Sequence, residues 1–339
     1  MTTRLKIILT AAVSTVACCR LAWAQAPATI LTIDTQNNTY FDEDVFDVKK
    51  YATDPNKTIP LTGTGTAPTF TNVTSIGDIV QVNGKPAKGT CISKFQVLNL
   101  TTTPRAGAIL ADINRFNIGS TLCEILQADG TAVGTIAWIG LGNGTPPPGS
   151  PALAGGANFV VTGGSGAFLG VHGQGAATKE SAVFGRPASV TEDPSNRRVY
   201  GGGTSHMVFT LIPMFRPAIV MLPEGPAVVH ATDYSLVTAA NPARAGEVLS
   251  LYVTGLGPIR AEVDPGQPFP ANPPGVVNSP VTVTVNGAEA EVLYAGGYPG
   301  SVDGYQVNLR LPVNLTPGLG TIQVAAAWIQ SPAVQIAVR

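Results

Sequence analysis

The chain has 339 residues, enough for two domains of ordinary size. Only 12% of them are charged and the formal net charge is −1, so no basic field exists to hold a phosphate backbone, and nucleic acid is excluded as a partner class. The 38 glycines and 28 prolines, with Thr and Val recurring throughout, favour short strands and tight turns over helices.

The first 24 residues read as an address. Arg4 and Lys6 form a short basic start, Ile7–Ala17 is an apolar run, and Ala22-Trp23-Ala24 is a small-x-small cleavage site before Gln25. This is the pattern of a secretory signal peptide, with an apolar run too short to span a bilayer comfortably. Thr15-Val16-Ala17 is a poor approach to a lipidated cysteine, so Cys18 is not expected to carry an anchor. No later segment is long and apolar enough to span. The mature chain is therefore expected in the periplasm, at the cell surface or in the medium. Cleavage removes Cys18 and Cys19 and leaves Cys91 and Cys123 in an oxidising compartment, where a disulfide is the simplest expectation.

Strand signals run from Thr29 to about Pro213. Ile79–Val82 ends in the turn dipeptide Asn83-Gly84. Thr121–Ala128 and Thr131–Ile139 flank Asp129-Gly130 as a second hairpin. Gly144–Gly156 is a loop between strands, Ala176–Phe184 has room for a short helix, and Val199–Leu211 reads as a late strand bent at Gly201-Gly202-Gly203. Pro213–Pro226 holds four prolines, which sustain neither helix nor central strand, so residues 214–226 read as an ordered linker.

Residues 227–339 are patterned more clearly. Val248–Thr254 is a strand, Val281–Val285 alternates strictly, Asn286-Gly287 turns, and Ala288–Tyr294 returns. Tyr305–Leu311 alternates again, as do parts of Gly320–Trp328 and Val334–Val338. Roughly seven short strands in such a span are what a β-sandwich of immunoglobulin type requires. The fold class expected is all-β throughout.

Two resemblances refine this. In the second half, Leu236-Val-Thr-Ala-Ala-Asn-Pro-Ala-Arg244, Gly246-Glu-Val and Thr254-Gly-Leu-Gly-Pro258, continued by Val292-Leu-Tyr-Ala-Gly296 and Tyr305-Gln-Val-Asn308, resemble a C-terminal domain of secreted acidobacterial proteins. That resemblance implies an Ig-like module and brings no activity with it. In the first half, Gly77-Asp78-Ile79-Val80, Gly89-Thr-Cys91 and Thr162-Gly-Gly-Ser-Gly-Ala-Phe168 with Gly170 and Gly173-Gln174 resemble the allene oxide cyclase and dirigent superfamily. It implies an eight-stranded antiparallel barrel over 29–213 with an apolar lumen. Cys91 and Cys123 stand where bacterial relatives place a cysteine pair. The plant cyclases hold a fatty-acid epoxide and steer its closure, but Thr29–Phe41 offers Asp34, Asn37 and Asn38 rather than their acidic and amide pattern.

No chemical motif is complete. Gly164-x-Gly166 lacks the third glycine of a dinucleotide loop, since Leu169 stands there and Gly170 comes one residue late. Gly164-Ser165-Gly166 ends in Ala167 where a nucleophile elbow needs glycine. The three histidines, His172, His206 and His230, lack ligand spacing, and the acidic run Phe41–Val48 lacks the ordered oxygens of a calcium loop. No metal and no cofactor are expected. Gly163, Gly164, Gly166, Gly170 and Gly173 read as bends and close approaches in a barrel. Phe168, set on an expected strand, and Trp138 are the candidate lumen-lining residues, with core filling as the plainer role for both. The expectation is a secreted binding or cell-envelope protein without catalysis, its partner a small apolar ligand or a surface component. The alternatives are a cyclase or steering protein acting in the lumen, and a structural adhesion protein.

Overall fold

The computed structural model describes residues 28–42, 70–98, 116–142, 158–177, 186–189, 192–260, 263–264 and 266–339. The expected leader, residues 43–48 of the acidic run, the loop 144–156 and the segment 178–184 lie outside the described residues.

Eight of the described strands close an antiparallel barrel: β1 (Thr29–Asp42), β2 (Phe70–Val82), β3 (Lys85–Leu98), β4 (Phe116–Gln127), β5 (Ala132–Gly142), β6 (Asn158–Gly166), β7 (His172–Ala177) and, after a short β8 (Arg186–Ser189), β9 (Gly203–Ile212). Each pairs with the next, β7 pairs with β9, and β9 returns to β1, where Ile33 faces Met207 on one side and Val82 on the other. Closure gives each of the eight strands a partner on both sides, and β8 adds a parallel pairing to the end of β1. Alternation sorts the side chains. Leu31, Ile33, Ile125, Ile136, Phe209 and Leu211 are fully buried inside, while Ile92, Leu122, Ile139 and Val160 are exposed outside.

The barrel has two unlike ends. Asn83-Gly84, Asp129-Gly130 and Ala167–Gly170 make tight turns at one end, where β1 also begins and β9 finishes. Asn83 adopts a φ of 49° and Gly84 follows at 71°, the left-handed pair that a two-residue hairpin needs. Every long connection leaves from the other end.

The expected strand over Val199–Leu211 begins later. Asp193 accepts hydrogen bonds from the Ser195 amide and hydroxyl at 2.9 and 2.7 Å, which turns the chain into a single helical turn, α1 (Asn196–Val199). Val199 closes that helix, and β9 starts at Gly203. The Pro-rich join is also structured, since Ala218–Ile219 pairs with Val248–Thr254.

The second half is β as expected. Its described strands form a continuous sheet that curls into a half-barrel. The bend passes through Ala288–Gly297, whose first residues pair with Val281–Val285 and whose later ones pair with Gly304–Arg310. Leu249, Leu251, Val253, Val307, Leu309, Val283, Ile322 and Val324 are buried in the curl.

The two halves share apolar packing. Between Gly318–Ala326 and Ile329–Gln330 the chain reverses at Ala327 and Trp328, both with positive φ. Ala327 and Ile329 are buried and Trp328 half-buried in the barrel's own core cluster. Polar ties surround this contact: Gln127 donates to the Asn278 carbonyl, Arg260 lies 3.8 Å from Asp129, and Lys85 lies 3.6 Å from Glu289. All three barrel partners sit at the tight-turn end. The second half therefore caps that end, and the long connections mark the other.

Candidate functional site

The lumen is the first place to look for chemistry. Near the tight-turn end it is lined by Val82, Ala87, Val133, Phe168, Val171 and Leu211, all buried. Phe168 does not lie on a strand: it sits in the Ala167–Gly170 turn, 1% exposed, with its ring reaching back toward Gly134. Two consecutive hydrogen bonds, Phe168 N to Ser165 O and Val171 N to Phe168 O, each 3.1 Å, coil the backbone and point the ring inward. Trp138 is on β5 and 3% exposed. Its ring meets Phe209 at 4.9 Å and Phe159 at 5.7 Å between centroids, so three aromatic side chains fill the mid-lumen.

Four of the five expected barrel glycines make room for neighbouring chain. Gly163 and Gly164 lie on β6, Gly166 ends it, Gly170 is in the turn, and Gly173 is on β7. A Cβ at Gly164 would strike the Thr135 carbonyl and Phe168, and one at Gly173 would strike the Thr210 carbonyl of β9. Gly163 differs, because a Cβ there would meet nothing within 4 Å.

Cys91 and Cys123 form a disulfide. They face each other directly across β3 and β4, with both side chains inward and their Cα atoms 4.0 Å apart. Beyond them, toward the long connections, the lumen turns polar. Thr121 Oγ1 donates to Ser93 Oγ at 2.8 Å. Tyr40 meets Phe95 edge-on at 5.6 Å, and burial pushes its phenol pKa well above the usual value.

Three carboxylates of the barrel strands, Asp34, Asp78 and Glu124, face away from this lumen. Asp34 on β1 pairs with His206 opposite it on β9, on the outer surface. Glu124 is exposed between two inward neighbours, Cys123 and Ile125. Asp78 is held outside β2 by α1: Arg198 donates to it at 3.0 and 3.1 Å, Arg197 at 2.5 Å, and Asn37 at 3.1 Å. Burial alone would raise the Asp78 pKa from its ordinary 3.8, but the hydrogen bonds from Arg198, Arg197 and Asn37 outweigh it and hold the value at about 2. Beside this clamp, Arg186 forms two parallel hydrogen bonds to Glu192, at 2.8 and 2.6 Å. Sequence reasoning missed both clamps. The Arg197-Arg198 pair after Pro194-Ser195 was their one local sign, and its partner Asp78 is more than a hundred residues away.

The histidines do not converge. His172 is exposed on β7, and His206 is outside the barrel. His230 is buried in the second half, with Nδ1 2.6 Å from Glu247 Oε1 and Nε2 3.2 Å from the Asn241 carbonyl. Glu247 also accepts from the Arg244 amide at 2.8 Å. The Asn241-Pro-Ala-Arg244 stretch is thus bracketed onto its own sheet. Ser165 shares a 2.7 Å hydrogen bond with Thr135 on the exposed surface and has no histidine partner among the described residues. No cluster of three His, Cys, Asp or Glu side chains is placed to hold a metal among the described residues. No helix among them is long and apolar enough to cross a membrane. Compared with family models, curated proteins and solved structures, the chain matches none.

Proposed function

We propose that the chain is a secreted, non-enzymatic binding protein of the cell envelope, in which a dirigent-like barrel serves as a scaffold for an Ig-like module. The observation that carries this reading is the occupancy of the lumen. Phe168, Trp138, Phe159 and Phe209 fill its middle and its tight-turn end, and the Ala327–Trp328 turn covers that end from outside. Steering an oxidised, charge-developing substrate calls for convergent polar groups in a pocket. The carboxylates Asp34, Asp78 and Glu124 face away from the lumen instead. The disulfide suits an oxidising compartment, in keeping with the leader-like start of the chain.

Native mass spectrometry of the mature chain after exposure to a bacterial lipid extract tests this. The expected result is protein without a stoichiometric adduct. A one-to-one apolar adduct, lost when Trp138 is changed to Ala, would overturn the scaffold reading in favour of a lumen ligand.

The rival reading, a steering protein, has one observation in its favour. Tyr40, Ser93 and Thr121 supply hydroxyls at the long-connection end of the lumen. On that reading Tyr40→Phe would abolish turnover of a cyclisable fatty-acid epoxide without unfolding the chain.

A further inference from the structure

The outer face of the second half carries a different kind of surface. Along Val248–Thr254, residues Leu249, Leu251 and Val253 enter the core, so Ser250 and Tyr252 point to the opposite face, where Tyr252 is half-buried and Ser250 is buried beneath its neighbours. Along Gly304–Arg310, Tyr305, Val307 and Leu309 enter the core, which leaves Gln306 and Asn308 beside them on that same face. The register sets two rows across three strands. Tyr252, Gln306 and Gly296 form one, and Ser250, Asn308 and Tyr294 form the other. Tyr294 bends over Gly296, its hydroxyl occupying the place a Cβ would take. Tyr298 stands edge-on to Tyr252 at 5.6 Å and is 45% exposed, and Tyr234 nearby is 66% exposed.

The polar groups of this face are pre-oriented. Asn308 Oδ1 accepts from Ser250 Oγ at 2.8 Å and from Gln306 Nε2 at 2.9 Å. That fixes the two amides and leaves Asn308 Nδ2 as a donor and Gln306 Oε1 as an acceptor without a partner among the described residues. The phenols of Tyr234, Tyr252, Tyr294 and Tyr298 are likewise without hydrogen-bond partners there. The centre of the face is uncharged. At one border Arg310 is paired with Glu291 at 3.1 Å, and at the other Asp303 takes the Gly255 amide at 3.3 Å.

We propose that this tyrosine face binds a neutral polysaccharide, with Tyr252, Tyr298 and Tyr294 stacking on pyranose rings and Gln306 and Asn308 hydrogen-bonding their hydroxyls. The physical match has three parts. The negative face of an aromatic ring attracts the slightly positive C–H face of a sugar. A free amide donor on Asn308 beside a free amide acceptor on Gln306 matches a pair of neighbouring hydroxyls. A face with no net charge at its centre has nothing to offset the desolvation of a polyanion or a polycation. Tyr252 lies two inter-strand steps, about 10 Å, from Gly296, over which the Tyr294 side chain bends, and that is roughly the length of a disaccharide. The proposal names a partner class for the second half and is independent of what the lumen holds.

Affinity electrophoresis of the whole mature chain through gels containing hydroxyethyl cellulose, laminarin, mannan or dextran tests it, with alginate as the polyanionic control. The expected result is retardation by at least one neutral polymer and none by alginate. Tyr298→Ala and Tyr252→Ala should each weaken that retardation by about tenfold, as truncation of an aromatic anchor does. Tyr252→Phe should retain most of it, because the ring face remains. The exposed position of Tyr298 keeps its variant folded, and far-UV circular dichroism checks this. Unchanged mobility in all four neutral gels would overturn the proposal. So would retardation that persists in both alanine variants, or retardation by alginate alone.

Discussion

Gly173 has room for a hydrogen and nothing larger, because its Cα lies against the Thr210 carbonyl at the seam where β7 meets β9. Its φ of 153° adds a conformation that side-chain-bearing residues avoid. Gly173→Ala is expected to cost about 2–4 kcal/mol in urea unfolding, the range for a strained, clashing backbone site. Gly163→Ala, with nothing within 4 Å, should change stability by less than about 0.5 kcal/mol. The glycine-rich wording of this region was legible because spacing is a local property. Which glycines are required was not, since the atoms they avoid belong to other strands. Asp78 makes the same point with charge. Its pKa is lowered from 3.8 to about 2 in the folded state, so it contributes stability above about pH 4 that is lost as pH falls toward 2. Asp78→Asn should flatten the acid limb of a stability-against-pH curve followed by circular dichroism. An acid limb as steep in the variant as in the parent would assign it to other carboxylates.

At the scale of elements, the hairpins were the best-read part of the chain. Asn83-Gly84, Asp129-Gly130 and Asn286-Gly287 all turn where their dipeptides direct, since turn chemistry acts over a few residues. Helix α1 was read as strand at Val199, because the Asp193–Ser195 hydrogen bonds that start it carry no periodic signature. β3 and β4 are joined by Cys91–Cys123 across 32 residues of sequence, and closing that loop stabilises the fold by roughly 3–4 kcal/mol in the chain-entropy model. Reduction of the denatured chain should add two protons to its intact mass. Replacing both cysteines by Ala should lower the unfolding midpoint in step with that energy. The Ala327–Trp328 turn is an element whose role was invisible locally. Trp328→Asn keeps a residue that tolerates the turn's φ of 66° while removing the ring from the barrel cluster. Calorimetry should show a single transition for the parent, in which the halves are coupled, and a broadened or split one for the variant. A sharp, unshifted transition would mean that the ring adds nothing to the coupling of the halves.

For the whole molecule, the sequence by itself determined the class of structure and several of its local joints. Low charge, abundant glycine and proline, alternating runs and turn dipeptides made an all-β chain, and Cys91 and Cys123 were placed to pair. Each of these follows from neighbours a few residues apart or from composition. Tertiary structure decided the rest. Barrel closure depends on β9 finding β1 across about 170 residues, as Ile33 and Met207 do, and no window of sequence contains both. Closure then decided which alternate residues form the lumen, so that Phe168 and Trp138 became packed rings and Asp34 and Asp78 were turned outside. It also made the tight-turn end a surface on which Trp328 could be buried. In the second half the same process set Tyr252, Gln306, Asn308 and Tyr294 side by side on three strands. Alternation announces that a residue has a face, but only the pairing of distant strands says which residues share it.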